Sequence, residues 1–208
     1  MTIDEIDRLF SRLRRLSDSL NVKGGTGTTW NYTFPDGQTH TYNFTNVRPV
    51  EQIEDDIANM FIWSWNLKDH LKLLCPSRQI DPNSIEAAIN ASDTLKICGD
   101  IANLLKHGKL DRSRSDRFPT LHRPQIEIPQ AAIGSLIFMP LAVTTNVSRP
   151  ELVEVSVAVY DQAGDQIGDA FALLRDAIAQ WEDIRNRVID PAPPAHNTAN
   201  NDAGKSHA

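Results

Sequence analysis

The stretch from Pro49 to His107 constrains this chain most. Ile53, Ile57, Met60, Phe61, Leu67, Leu71 and Leu74 recur at helical spacing, and beyond Cys75-Pro76-Ser77 the pattern resumes with Ile85, Ala88, Ile89, Leu95, Gly99 and Ala102. Apolar or small residues three and four apart share one face of a helix, so each half must bury its stripe against a neighbour. Pro76 forbids continuation and restrains the residue before it, while Asp81-Pro82 offers a cap and a first helical residue for the next helix. The spacing therefore predicts two long helices, 49–74 and 82–108, which so short a loop makes antiparallel neighbours. A turn centred near Arg78 sets His107 level with Pro49 to Gln52, near Arg48 and Glu51, and sets Asp100 level with Asp55, Asp56 and Asn59.

Two more segments carry helical patterns. Residues 2–20 place Ile3, Ile6, Leu9, Phe10, Leu13, Leu16 and Leu20 on one face, with Thr2 and Glu5 spaced for a capping box. Residues 166–188 do the same with Phe171, Leu174, Ile178, Trp181, Ile184 and Val188. Between the first two helices, Trp30, Tyr32 and Phe34 alternate with polar residues, Pro35-Asp36-Gly37 supplies a turn, and His40, Tyr42 and Phe44 alternate again. This predicts a hairpin over 28–45 that pairs Tyr32 with Tyr42, with an aromatic face laid on a helix, since a lone hairpin is barely stable in water. The same aromatics could stack on nucleic-acid bases. Residues 126–161 read as a small antiparallel unit, in which the runs 133–145 and 152–161 pair across Asn146 to Pro150 and Pro140 marks an edge or a bulge.

The expected fold is α+β: a helical-bundle core with an N-terminal β-hairpin and a small antiparallel β unit before the last helix. At 208 residues this is one domain over 1–190, followed by a disordered Pro-, Ala- and Asn-rich tail over 191–208. A formal charge of −6 argues against wholesale wrapping of nucleic acid, although Lys106 to Arg117 hold five Lys/Arg against two Asp. The start, Met-Thr-Ile-Asp-Glu-Ile-Asp-Arg, has no basic residue ahead of an apolar run, and no segment approaches the ~20 apolar residues of a membrane span. A cytoplasmic protein without a membrane partner is expected. Cys75 and Cys98 form no Cys-x-x-Cys pair, and no nucleotide fingerprint, Gly-x-Ser-x-Gly or zinc quartet occurs, so no cofactor is expected.

Chemistry is concentrated on the second long helix. Asp93, Lys96, Asp100, Asn103 and His107 form one polar stripe. An imidazole near neutral pH can move a proton, Asn103 at i−4 can orient it, and a carboxylate can assist. His107, Asn103 and Asp100 are the catalytic candidates; Lys106, Arg48, Asp56 and Asn59 are the binding candidates around them. Two other readings stay open: a metal held by Asp55 or Asp56 with Asp100 and His107, and a hydrogen-bonded seam that fixes helix register or a dimer face.

Ala102-Asn103-Leu104-Leu105-Lys106-His107 resembles the Arg-Asn-x-x-x-His signature of HEPN domains. These are helical-bundle proteins, many of them dimeric ribonucleases linked to toxin–antitoxin and antiviral systems. The resemblance covers roughly residues 50–110 and implies a homodimer that acts on the 2′-hydroxyl and phosphate of RNA, with His107 as the family histidine and Asn103 as the polar residue after the arginine. The arginine position is Ala102, so the cation that would stabilise the transition state would come from Arg48 or Lys106. The other expected class is a non-catalytic interaction or structural protein, whose polar stripe and strand edge dock a partner or a second copy.

Overall fold

A computed structural model of the chain describes residues 1–189, so the tail expected at 191–208 lies outside the described residues. Helix α1 spans Ile3–Leu20 and begins on the expected capping box: Thr2 Oγ1 accepts the Glu5 N–H at 3.2 Å, and the Glu5 carboxylate accepts the Thr2 N–H at 2.7 Å. Strands β1 (Thr28–Thr33) and β2 (Thr39–Thr45) follow, then α2 (Val50–Leu74), α3 (Asn83–Asn90) and α4 (Asp93–His107). The remainder comprises β3 (Thr120–Leu121), β4 (Gln125–Glu127), β5 (Ile133–Met139), β6 (Ala142–Val147), β7 (Glu154–Ser156), β8 (Ala158–Tyr160), β9 (Gln166–Asp169) and α5 (Ala170–Ile189). The α+β class is as expected.

Helix α2 is the axis of the bundle. Ile53, Ile57, Met60, Phe61, Trp65, Leu67, Leu71 and Leu74 are all buried and point to several sides, where α1, α4 and α5 pack. Trp65 meets Trp181 of α5 edge-on, with ring centroids 6.4 Å apart. A helix buried nearly all round contributes through packing rather than through a single stripe.

The helix expected at 82–108 is two helices. Ser92 leaves helical geometry, with φ −116° and ψ 115°, and its Oγ accepts the Leu95 N–H at 3.0 Å, so a fresh N-cap starts α4. The periodic pattern runs through this break unchanged, which is why spacing alone reads it as continuous. The expected alignment with α2 holds only before it. Lys72 meets Glu86 at 2.6 Å, close to the predicted level. Further on, Gly99 lies under the Trp65 ring and Lys106 reaches Asn66 at 2.6 Å, while Leu105 borders Ile57 and Ala58. The end of α4 thus sits roughly two turns nearer the middle of α2 than equal antiparallel rods would place it.

The strands depart further from expectation. The hairpin pairs Trp30 with Tyr42 and Tyr32 with His40, two residues from the predicted register. Such a shift keeps the aromatic residues on one face. Among the described residues the hairpin is held by strand pairing, not laid on a helix as foreseen: β2 pairs in parallel with β6, giving a four-stranded sheet of order β1-β2-β6-β5. The run 133–145 does not pair with 152–161. It folds on itself, because Pro140 and Leu141 turn β5 back onto β6. Residues 152–161 instead break into β7, which pairs with β4, and β8, which lies between β3 and β9. The last helix starts at Ala170, not at 166, because Asp169 caps it: its Oδ1 accepts the N–H groups of Phe171 and Ala172, and its Oδ2 accepts that of Val157.

Two cores result. The larger joins α1, α2, α3, α4 and α5. The smaller, of Val47, Ala132, Val147 and Val153 with Phe44 and Ile128 packed against it, anchors one end of the four-stranded sheet.

Candidate functional site

The structure scatters the predicted cluster into separate environments. Asp100 is completely buried, and its carboxylate accepts four hydrogen bonds: from Ser113 Oγ at 2.6 Å, Ser115 Oγ at 2.7 Å, the Arg114 N–H at 2.8 Å and the Ser115 N–H at 2.9 Å. A buried carboxylate with four such donors holds a loop, and none of its bonds goes to His107. Arg48, only 5% exposed, is committed to Asp56 and donates to the Ser19 carbonyl at 2.9 Å, tying the end of α1 to the start of α2. Desolvation lowers its pKa from the usual arginine value, without removing its charge in any ordinary range of pH. Arg48 and Asp56, two of the binding candidates, are therefore joined in a structural ion pair that the sequence reading did not foresee.

The rest of the stripe lies at the exposed end of α4. Asn103 is half-buried, Lys106 and His107 are exposed, and Asn59 is exposed on α2. Lys106 donates to Asn66 Oδ1. Among the described residues no hydrogen bond joins His107 to Asn103 or Asp100, and no group of three or more His, Cys, Asp or Glu side chains is arranged to hold a metal ion.

The basic segment after α4 is not a free solvated loop. Arg114 pairs with Glu86 at 2.9 Å and lies over the Trp65 ring, so Ser113, Arg114 and Ser115 clamp the segment across α2, α3 and α4. Burial alone would raise the Glu86 carboxyl, but hydrogen bonds and charge from Lys72 and Arg114 outweigh it and hold the pKa below the ordinary carboxylate value. Between the acids of α2 and the end of α4 lies a cleft of about 360 Å³. Glu54, Asp55 and Leu105 line it, yet the imidazole on its wall belongs to His122, beside Arg123. His122 stacks on Tyr160 at 4.2 Å between centroids. Nothing in its local sequence marks it, because its placement depends on β3 pairing with β8.

The most unusual surface lies elsewhere. Residues directly opposite one another in a sheet share a face, so Trp30, Tyr32, His40, Tyr42, Phe44, Val143, Thr145, Leu136 and Phe138 form one side of the four-stranded sheet. At its anchored end Thr145 is buried, but Trp30 is 60% exposed and Phe138 73%. The other side is a neutral ladder: Thr29 donates to Asn43 at 2.9 Å, Thr41 to Asn31 at 2.9 Å and Thr45 to Asn146 at 3.0 Å. Across the two segments that build this sheet, residues 24–47 and 128–148, Asp36 is the single Asp, Glu, Lys or Arg, in a chain that is 23% charged. A cleft of about 960 Å³ runs along its first edge, walled by Thr28, Trp30, Phe44, Arg123, Ile126 and Ile128. Charge depletion over two distant segments is visible in the sequence, but it becomes a surface only once β2 pairs with β6.

No family model matches the chain, and no curated protein or solved structure matches it either.

Proposed function

We propose that this protein is an interaction module, in which the helical bundle carries an uncharged aromatic sheet that docks a protein partner. The observation that carries the reading is a sheet with a single charge and large apolar side chains left open to solvent. Interface cores are depleted in charge and enriched in aromatic residues, and exposed apolar patches of this kind mark interaction sites. The aromatic residues suit base stacking in shape, but a nucleic-acid groove needs cations to track phosphates, and the sheet segments contain no Lys or Arg. Protein is therefore the favoured class of partner. A photo-crosslinking amino acid placed at Trp30 or Phe138 in the intact cell should form defined protein adducts, while the same group at the exposed bundle position Asp69 should not. Absence of adducts at both sheet positions overturns the reading.

A second reading is favoured by one feature, the exposed end of α4 where Asn103, Lys106 and His107 lie together. In an RNA-processing protein like the HEPN domains, that end would act together with a partner subunit. His107→Ala would then abolish RNA cleavage or growth inhibition with an unchanged melting temperature. An unaffected or absent activity removes this reading and leaves the first.

A further inference from the structure

We infer that the occupant of the β5 edge is a second copy of this chain, joined by antiparallel β5–β5 pairing about a two-fold axis; this rests on the docking reading above. Among the described residues, strand β5 is the last strand of its sheet and pairs only with β6. Alternate residues of an edge strand turn their N–H and C=O groups outward, ready to pair with another strand. Natural edges are protected by charge, by proline, by bulges or by covering structure. Here the irregularity at Ile133/Ser135 and Pro140 lie at the two ends of the strand, and between them Leu136-Ile137-Phe138-Met139 contains no charged residue. Leu136, Ile137, Phe138 and Met139 are all exposed, with Leu136 and Phe138 on one face of the sheet and Ile137 and Met139 on the other.

Apolar side chains exposed on both faces of one edge fit strand addition better than a partner lying across the sheet, which would cover only one face. The lack of charge makes the strand compatible with itself, since no like charges oppose when two copies run antiparallel. An axis near Ile137 sets Leu136 of each copy beside Phe138 of the other and continues two four-stranded sheets into one of eight. The adjoining turn points the same way. Leu141, exposed, holds φ at 58°, where turns normally place Gly or Asn. A large apolar residue kept in that strained position presents its side chain at the tip of the same edge. Leu136, Ile137, Phe138, Met139 and Leu141 together offer roughly 500 Å² per copy, and thus about the 1,000 Å² at which a specific interface becomes plausible on size.

The full chain should sediment as a concentration-dependent dimer in analytical ultracentrifugation. Phe138→Lys should raise the dimer Kd by at least about 30-fold, the effect of losing one interface hot spot, with circular dichroism unchanged. Ile137→Cys should form an intermolecular disulfide under mild oxidation, because paired strands bring Cα atoms within about 5.5 Å. Trp30→Cys, on the opposite edge, should not. Cys75 and Cys98 do not compete, being buried, and burial pushes the Cys98 thiol up to about 12. A monomer at all concentrations, an open-ended polymer, or a dimer indifferent to Phe138→Lys each overturns the β5 pairing. The two readings fail separately: adducts at Trp30 or Phe138 with other proteins, and none with this chain, would keep the sheet as a docking face while removing self-pairing, and absence of any adduct would remove the docking reading.

Discussion

The helical bundle and the four-stranded sheet solve the same problem with opposite chemistry. In the bundle, charges join elements to one another: Arg48 with Asp56, Lys72 and Arg114 with Glu86, Arg14 with Glu182, and Arg185 with Asp7. Its large apolar side chains are inside, Trp181, Phe10 and Phe61 among them. The sheet has exposed aromatic and aliphatic side chains on one side and, on the other, a neutral Thr/Asn ladder with Ile137 and Met139 exposed at the β5 edge. Folding accounts for the bundle's composition, because every stripe there finds a partner within the chain. It does not account for the sheet's, since exposed apolar area contributes nothing to the stability of the monomer. The contrast assigns stability to one region and recognition to the other.

The largest effect is expected where the bundle is most committed. Asp100→Ala removes a buried acceptor of four hydrogen bonds and strands the N–H groups of Arg114 and Ser115, so urea unfolding should show a loss of about 3 kcal/mol. If Asp100 served catalysis rather than the loop, the substitution would leave the unfolding midpoint nearly unchanged. Next is Gly99→Ala. A Cβ there would meet the Trp65 ring at 2.7 Å, and that ring is itself packed against Trp181, so a loss of about 2 kcal/mol is expected in the same measurement. A neutral result would mean that α4 can slide off Trp65 and that the α2–α4 contact is looser than the packing implies.

Much of the bundle is legible in the sequence because its signals are local. The capping box at Thr2 and Glu5, the stop at Cys75-Pro76 and the apolar stripes each depend on residues within a few positions. The break at Ser92 is not legible from periodicity, since the stripe continues across it; only the capping chemistry of Ser92-Asp93 hints at it. The sheet fails for a different reason. The parallel pairing of β2 with β6 joins residues about a hundred positions apart, and no local pattern encodes it. The predicted site illustrates both cases. Arg48 and Asp56 are close in sequence, but the sequence marks them as separate binding candidates and not as a pair, and Asp100 turned out to be occupied by a loop whose Ser-x-Ser spacing acquires meaning only once it folds back.

The acid response sharpens the contrast further. The folded pKa of Glu86 is held below its ordinary value of 4.5, so this carboxylate contributes stability above that value and loses its contribution as the pH falls through the folded pKa. The melting temperature should therefore decline below about pH 4.5, and Glu86→Gln should flatten that decline while lowering stability at neutral pH. The β5 seam, Ile133–Met139, carries no titratable side chain, so its pairing should hold across the same range. A dimer that dissociates in step with Glu86 titration would place the seam on the bundle instead.

The smallest effect should come from the residues that look most conspicuous. Trp30 is largely open to solvent, and its ring contacts are with Tyr32 and Tyr42 of the same face. Trp30→Ala should therefore change the unfolding free energy by no more than about 0.5 kcal/mol, as surface substitutions do. Leu141→Gly should raise it slightly, by about 0.5–1 kcal/mol, because glycine takes φ 58° without the penalty that leucine meets there. A protein whose large exposed aromatic can be removed without cost, and whose turn improves when its apolar side chain is deleted, has retained both for contacts outside its own fold. If Trp30→Ala instead costs several kcal/mol, the aromatic face belongs to the folding of the chain and the division between a stable bundle and a recognition sheet fails.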